Sequence, residues 1–323
     1  MAACPEAALP ELIDLPQLGP SDLDPLLAEE IDVWQQRFAW DFRPSADLLR
    51  RFLQIRSLYG CALRFGRDVI GYSYYVSEGH KGLIGDFYVR SAYCNSALEM
   101  MLLGGVVQGL MRTAGMRRIE SQLMLLRHAS PPSNFPFTRN LKRHDRYFME
   151  IRRDQIKRLF PESLGFRVNY VAWTERHQEE MAHVVSASYR GHVDSEINDQ
   201  YRNIPGARVF LSNIVRYPGC GRFSPEASVL AVDSSTGRVC GMCLASLVSA
   251  TSGHITQLCV LPALRGVKLG YELLRQTLTR LVDCGCESIS LTVTCTNIDA
   301  IRLYRSTGFR SDVTFPALVW EGF

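Results

Sequence analysis

Two stretches of the chain, set 171 residues apart, run in step, and that repetition limits the folds open to it. Val89 to Leu103 (VRSAYCNSALEMMLL) lies over Val260 to Leu274 (VLPALRGVKLGYELL) without a gap, and five of the fifteen positions are identical. Upstream, Val69-Ile70-Gly71 pairs with Val239-Cys240-Gly241 at an offset of 170. A chain of 323 residues has room for two domains of roughly 150 residues each. One module used twice accounts for both the length and the pattern.

Hydrophobic periodicity gives similar element orders in the two halves. The first half reads as helices over 20–37 and 45–58, strands over 61–65, 69–77 and 83–89, a helix over 95–114 and a strand over 118–126. The second reads as a strand over 167–173, helices over 175–189 and 207–215, and strands over 228–232, 239–248 and 254–260. A helix over 268–284, a strand over 287–295 and a helix over 297–306 ended by Gly308 complete it. Between the halves lie Ser130-Pro131-Pro132-Ser133 and a basic stretch, 139–158, with eight Lys or Arg against three acids. That stretch is expected to form a connector strand, 147–151, and a helix, 154–160. The expected domains are residues 1–150 and 165–323, joined by a connector over 151–164.

Composition removes several function classes. Hydrophobic residues make up 46% and charged residues 21%, an ordinary globular balance. The net charge of +3 gives no overall field toward nucleic acid, and the basic stretch carries no aromatic-basic motif. The longest apolar run, Met100 to Met111, is interrupted by Gln108 and falls short of the ~20 residues of a membrane helix. No basic residue precedes Arg37, so the start lacks the charged region of a secretory signal. The ten cysteines are scattered, several in apolar runs, and Cys240 and Cys243 are expected on opposite faces of one strand. No metal site is expected, and the compartment is expected to be reducing and cytoplasmic.

The chemistry concentrates in Ile255 to Gly270, ITQLCVLPALRGVKLG. An apolar strand ends at Pro262, a tight turn follows, and a helix starts near Lys268. Such a turn presents unpaired backbone N–H groups at the positive end of a helix dipole, a site for phosphate. Gly266 and Gly270 remove side chains where a diphosphate would approach, and Arg265 and Lys268 add positive charge. Lysine at 268, one of only four in the chain, is expected to be helical already and so free of backbone strain. Downstream stands Asn297-Ile298-Asp299-Ala300-Ile301-Arg302-Leu303-Tyr304-Arg305-Ser306-Thr307-Gly308-Phe309.

Together the two segments resemble the GNAT acetyltransferase superfamily: V-x-P-x-x-R-x-x-x-x-G, then N-x-x-A-x-x-L-Y-x-x-x-G-F about 30 residues on. The resemblance covers residues 165–323 and implies a mixed α/β (α+β) fold of two tandem modules. Each would be a mostly antiparallel twisted sheet with one splayed parallel strand pair, flanked by helices. It implies acetyl-coenzyme A as acyl donor, its pyrophosphate on Arg265, Gly266, Val267, Lys268, Leu269, Gly270 and Tyr271. The pantetheine arm would lie along Leu258, Cys259 and Val260, and Asn297 would bond it. Tyr304 would protonate the leaving thiolate. The loop departs from the family pattern in carrying lysine where its first glycine usually stands.

An attacking amine must lose a proton, and an ordinary lysine-type amine has a pKa near 10.4. The strand His254-Ile255-Thr256-Gln257 lacks the glutamate that many relatives carry. His254 and, in the acidic run Asp194 to Tyr201, Glu196 are the candidate bases. Asp194, Glu196 and Asp199 would suit a cationic acceptor. The backbone N–H of Val260 or Leu261 is the candidate oxyanion donor. Phe315 and Trp320, on an expected last hairpin, stand as core or as walls of the acceptor cleft.

In the first half, Cys94 to Glu99 falls over Arg265 to Gly270, so the arginine and both glycines are gone and an acid replaces the second. That half is expected to be a degenerate module. The expectation is an acetyl-coenzyme A dependent N-acetyltransferase whose second module transfers acetyl directly to a primary amine of a small molecule or peptide. The alternative is a non-catalytic acyl-coenzyme A sensor or scaffold. Monomer and homodimer both remain open.

Overall fold

The computed structural model describes residues 10–128, 135, 138–217 and 219–323, so Cys4 and the Ser130-Pro131-Pro132-Ser133 segment lie outside it. The chain divides into two units. The first contains residues 1–38, 42–144 and 315–323; the second contains 39–41 and 145–314. The units are therefore not the contiguous halves expected from sequence.

The first unit runs β1 (Glu11–Asp14), α1 (Pro20–Phe38), α2 (Arg43–Gln54), β2 (Tyr59–Phe65), β3 (Asp68–Glu78), β4 (Lys81–Val89), α3 (Ser96–Met111) and β5 (Arg118–Gln122). Its sheet runs β1-β2-β3-β4-β5 and is antiparallel except for β4 beside β5. The last strand comes from the far end of the chain, where Ala317 to Glu321 pair antiparallel with Gln122 to Arg118. Trp320, fully buried, packs there with Ile119, Leu103 and Val107. Residues 310–321 form one continuous strand rather than the expected last hairpin; Trp320 belongs to the first unit's core, and Phe315 is buried at 2% exposure.

Burial also fixes α1 on this sheet. Tyr72 donates to Glu30 at 2.9 Å with Asp86 3.3 Å from the same hydroxyl, while the Trp34 indole donates to Glu30 at 3.2 Å. Desolvation, with the Asp86 charge behind it, holds the Glu30 carboxyl well above the ordinary range.

The second unit contains β6 (Leu141–Arg152, from Asp145 onward), α4 (Arg153–Ile156), β7 (Val168–Ala172), α5 (Gln178–Ser188), α6 (Asp194–Ile197), α7 (Ile204–Arg216) and β8 (Arg222–Phe223). It continues with β9 (Val229–Asp233), β10 (Val239–Leu247), β11 (Ser252–Val260), α8 (Leu269–Asp283), β12 (Ser288–Thr294) and α9 (Ile298–Thr307). Its sheet order is β7-β9-β10-β11-β12-β6, and β11 beside β12 is its parallel pair. The connector strand is thus longer than expected, and the helix after it is a single turn.

The repeat survives in the hydrogen-bond registers. Lys81 to Ile84 pair in parallel with Arg118 to Ser121, and Ser252 to Ile255 pair with Ser288 to Leu291. In each unit the inner strand continues for five residues beyond its parallel neighbour, 85–89 and 256–260. An irregularity lies opposite the divergence in both, between Ser73 and Tyr75 and between Leu244 and Ala245. A second irregularity, between Val239 and Gly241, changes the side-chain alternation of β10. Cys240 and Cys243 consequently pack into the same hydrophobic cluster, contrary to the opposite-face expectation. Burial pushes their thiols up to about 11 and about 12. Among the described residues, no helix is long and apolar enough to cross a membrane.

Candidate functional site

The site begins where β11 loses its parallel neighbour. Pairing with β12 stops at Ile255, while Gln257 to Val260 stay paired to β10. The other edge of 256–260, containing Leu258, Cys259 and Val260, is left without a ladder. Gly253 permits the tight packing just before this point: an added Cβ would lie 3.1 Å from Leu281 on α8. Thr256, the extra residue at the irregularity, keeps a buried hydroxyl with no hydrogen-bond partner.

Beyond Val260 the chain makes a turn of 3-10 helix, Pro262–Leu264, and enters α8 through Gly266 (φ +78°) and Lys268 (φ +66°). The first helical bond runs from Glu272 N–H to the Lys268 carbonyl, 3.1 Å. Upstream of it, the N–H groups of Gly266 to Tyr271 donate to no acceptor among the described residues. Gly266, Val267 and Lys268 are exposed, and an added Cβ on Gly266 would meet nothing within 4 Å. Six successive free donors at the N-terminus of a fifteen-residue helix form a main-chain anion cradle. The residues present therefore fit a ligand that carries a diphosphate.

The side-chain cations of this loop are directed elsewhere. Arg265 donates one Nη to the Ser188 carbonyl at 2.5 Å, tying the loop to the end of α5. Lys268 Nζ pairs with Glu162 at 2.7 Å, and the Tyr271 hydroxyl donates to the Phe160 carbonyl at 2.9 Å. Lys268 is also not helical: it is the left-handed N-cap, a conformation that costs a residue with a Cβ about 1–2 kcal/mol. The expectation of an unstrained lysine is corrected on that point.

Tyr304 stands on α9, which Asn297 caps by accepting from Ala300 N–H at 3.3 Å. Gly308, at φ +102°, ends the helix, and Phe309 N–H returns to the Tyr304 carbonyl at 2.9 Å. The tyrosine is 8% exposed and packs with Cys243 and Phe309 in one cluster. Burial first, then the Cys243 and Asp194 charges, hold its phenol above the ordinary range, with Arg146 opposing. It therefore stays protonated at neutral pH.

Beside it lies a polar aromatic cluster. Tyr189 and Tyr201 stack with ring centroids 4.3 Å apart, and Phe210 packs edge-on against Tyr201 at 4.8 Å. Gln257 joins the two phenols, donating to Tyr189 at 2.6 Å and accepting from Tyr201 at 3.4 Å. Asp194 accepts from the Thr294 hydroxyl at 2.5 Å, and its side chain is only 13% exposed. Its field, added to burial, raises the phenols of Tyr189, Tyr201 and Tyr304 alike. Within the acidic run, the carboxylate turned toward this cluster is thus Asp194. Glu196, the residue singled out from sequence, is exposed.

Geometry narrows one further sequence assignment and removes another. The Leu261 N–H donates to the Cys240 carbonyl at 2.9 Å and is not free for an oxyanion, which leaves Val260 of the two candidates. His254 is buried, its Nδ1 2.9 Å from Ser290 Oγ, with the Trp40 indole edge-on at 4.9 Å. Desolvation, assisted by the Arg146 charge, drops its pKa from 6.5 to about 3, so it is too weak a base for an ammonium. Tyr189, Trp40 and Arg146 carry no motif and were not singled out from sequence.

Two outcomes follow from these environments. Lys268→Gly removes the left-handed strain and loses only an exposed ion pair, so the melting temperature should rise by roughly 2–4 °C in calorimetry; an unchanged or lower value contradicts the strain. His254 binds a proton near pH 6.5 when unfolded but only near pH 3 when folded. The unfolded state therefore holds more protons between those values, and stability falls as pH drops through that window. His254→Asn should flatten the dependence by up to ~1.4 kcal/mol per pH unit; parallel curves for the two proteins contradict the buried neutral imidazole.

Residues 198–309 match the family model described as the acetyltransferase (GNAT) family. No curated protein sequence shows a significant match to the chain. Among solved structures, the chain is similar to a GCN5-related N-acetyltransferase from Sphaerobacter thermophilus, with 14% identity, TM-score 0.64, and coverage of 99% of this chain and 97% of that one. It is also similar to a tandem GNAT protein from the clavulanic acid biosynthesis pathway, with 15% identity, TM-score 0.63, and coverage of 97% and 98%. A third likeness is to the glucosamine N-acetyltransferase region of a fungal multi-domain β-N-acetylglucosaminidase, with 12% identity and TM-score 0.60 over 97% of this chain and 38% of that one. The chain as a whole therefore has the fold of the tandem GNAT proteins, and residues 198–309 are the part of it that matches the acetyltransferase family model.

Proposed function

We propose that the second unit is an acetyl-coenzyme A dependent N-acetyltransferase acting on a cationic primary amine by direct attack in a ternary complex. The observation that carries this reading is the run of free N–H groups from Gly266 to Tyr271 beside the open edge of β11. Acetyl-coenzyme A bound there supplies the thioester to be attacked. The cradle holds the diphosphate through main-chain donors, which explains why Arg265 and Lys268 can be used as struts. The edge at Leu258 to Val260 orients the extended arm, and Asn297 lies at the start of the facing helix.

Asp194, rather than Glu196, is the acid of this run that serves the site. Its largely buried carboxylate attracts the ammonium, and water takes up the proton that the amine must lose. Tyr189, Tyr201 and Gln257 line the approach with groups that stay neutral at pH 7, so the acceptor meets Asp194, with the Arg146 guanidinium as the opposing charge. Tyr304, held as a phenol, protonates the departing thiolate. The nine described cysteines are free thiols, which suits the reducing cytoplasm the proposal includes.

A non-catalytic acyl-coenzyme A sensor is the rival, favoured by the loss of an ionisable base on β11, where His254 is buried and neutral. Thiol release with a panel of polyamines, amino acids, aminoglycosides and peptides separates the two. Gly270→Glu should abolish binding of acetyl-coenzyme A in calorimetry. Tyr304→Phe should lower kcat by roughly 100-fold or more and leave that binding intact. Unaltered binding in the first variant overturns the cradle, an unchanged rate in the second removes the acid, and binding without turnover on any amine selects the sensor.

A further inference from the structure

The first unit carries a different cluster at the position where the second carries its anion cradle. Cys94 and Glu99, which align with Arg265 and Gly270, are met there by His128 from the segment after β5. A sulfur, a carboxylate oxygen and an imidazole nitrogen all lie within 4.8 Å of one another. Glu99 is 1% exposed, in the first turn of α3. Its Oε1 accepts from Arg127 N–H at 2.9 Å; its Oε2 accepts from His128 N–H at 2.8 Å and lies 2.7 Å from His128 Nδ1.

We propose that Cys94, Glu99 and His128 form a divalent transition-metal site of the zinc class, built where the module's phosphate loop has been lost. A carboxylate that only tied the 127–128 turn to the helix would be satisfied by the two backbone donors. The convergence of a thiol and an imidazole on the same carboxylate goes beyond that need. Sulfur and nitrogen with a single oxygen select zinc-like ions and disfavour calcium or magnesium, which take oxygen shells.

Charge and geometry agree with this. A dication balances one thiolate and one carboxylate beside a neutral imidazole, with the Arg127 guanidinium, which also acts on Cys94, as a further cation nearby; Cys94 releases its proton to solvent. Metal bonds of ~2.0–2.3 Å place tetrahedral donors about 3.5 Å from one another, so an ion entering the cluster parts the hydrogen-bonded Glu99 Oε2 and His128 Nδ1, 2.7 Å apart, by roughly 1 Å, while the wider contacts, up to 4.8 Å, close by a similar amount. Cys94 lies in the loop before α3, and the His128 side chain is 45% exposed, which leaves a way in for an ion. The fourth position is left to solvent or to a ligand. The same cluster is a poor nucleophile without metal, since burial first and Glu99 second push the Cys94 thiol up to about 11.

The test uses the full chain, with Co2+ as spectroscopic probe and Zn2+ in a competition titration. One equivalent of metal per chain should bind, with a thiolate-to-cobalt charge-transfer band in the near ultraviolet and one proton released per ion. Cys94→Ser should abolish the band. His128→Ala, a change at a partly exposed side chain, should weaken Zn2+ binding by more than the 10–100-fold typical of losing an outer-shell partner. Absence of saturable binding overturns the site. So does a band that survives Cys94→Ser, which would place the metal on another cysteine.

Discussion

Everything functional in the second unit depends on two parallel strands that stay together for four residues and then part. While β11 and β12 are paired, the sheet is an ordinary core element, with Gly253 allowing α8 to lie close. Once they part, the backbone of 257–260 keeps its pairing to β10 and has no strand on the other side; the Ser188 hydroxyl donates to the Val260 carbonyl at 2.8 Å. Unsatisfied main-chain groups near a core are costly, so the arrangement persists only where a partner can complete the ladder. The splay thus leaves a sheet edge without a strand, and the proposed function uses that edge without any special side chain.

The same scaffold carries unlike chemistry in the two units. After its own splay at β4 and β5, the first unit has neither the glycine at Gly266's position nor the one at Gly270's. A buried acid, Glu99, stands in the helix turn where the second unit leaves N–H groups free. An acid near a helix N-terminus is electrostatically favourable, and that same preference is what a bound phosphate would use. Filling the position from within the chain therefore removes the anion site and leaves a place for a cation.

Much of this was legible in the sequence because it rests on local rules. The repeat, the element order, the cap at Asn297 and the stop at Gly308 are set by periodicity and turn chemistry within a few residues of each position. The details that escaped are those set across the sheet. Cys240 and Cys243 share a face because β10 carries an irregularity that pairing with β9 imposes. Lys268 takes a left-handed conformation that only the geometry of the turn demands. His254 is buried because Trp40, more than 200 residues earlier, covers it. Asp194 and Glu196 are near neighbours in one acidic run, and only the packing of their short helix decides which faces Tyr304. The terminal strand, which carries Trp320, joins the first unit, a pairing between residues that no local pattern connects.

The central claim is that a single loop of main-chain donors binds the acyl carrier and that its counterpart in the first unit does not. Amide hydrogen exchange of the full chain, with and without acetyl-coenzyme A, reads both places at once. The account predicts slowed exchange from Gly266 to Tyr271 and along 256–260, with no change from Cys94 to Glu99. Unchanged exchange in the loop, or slowing at Cys94 to Glu99, would contradict it.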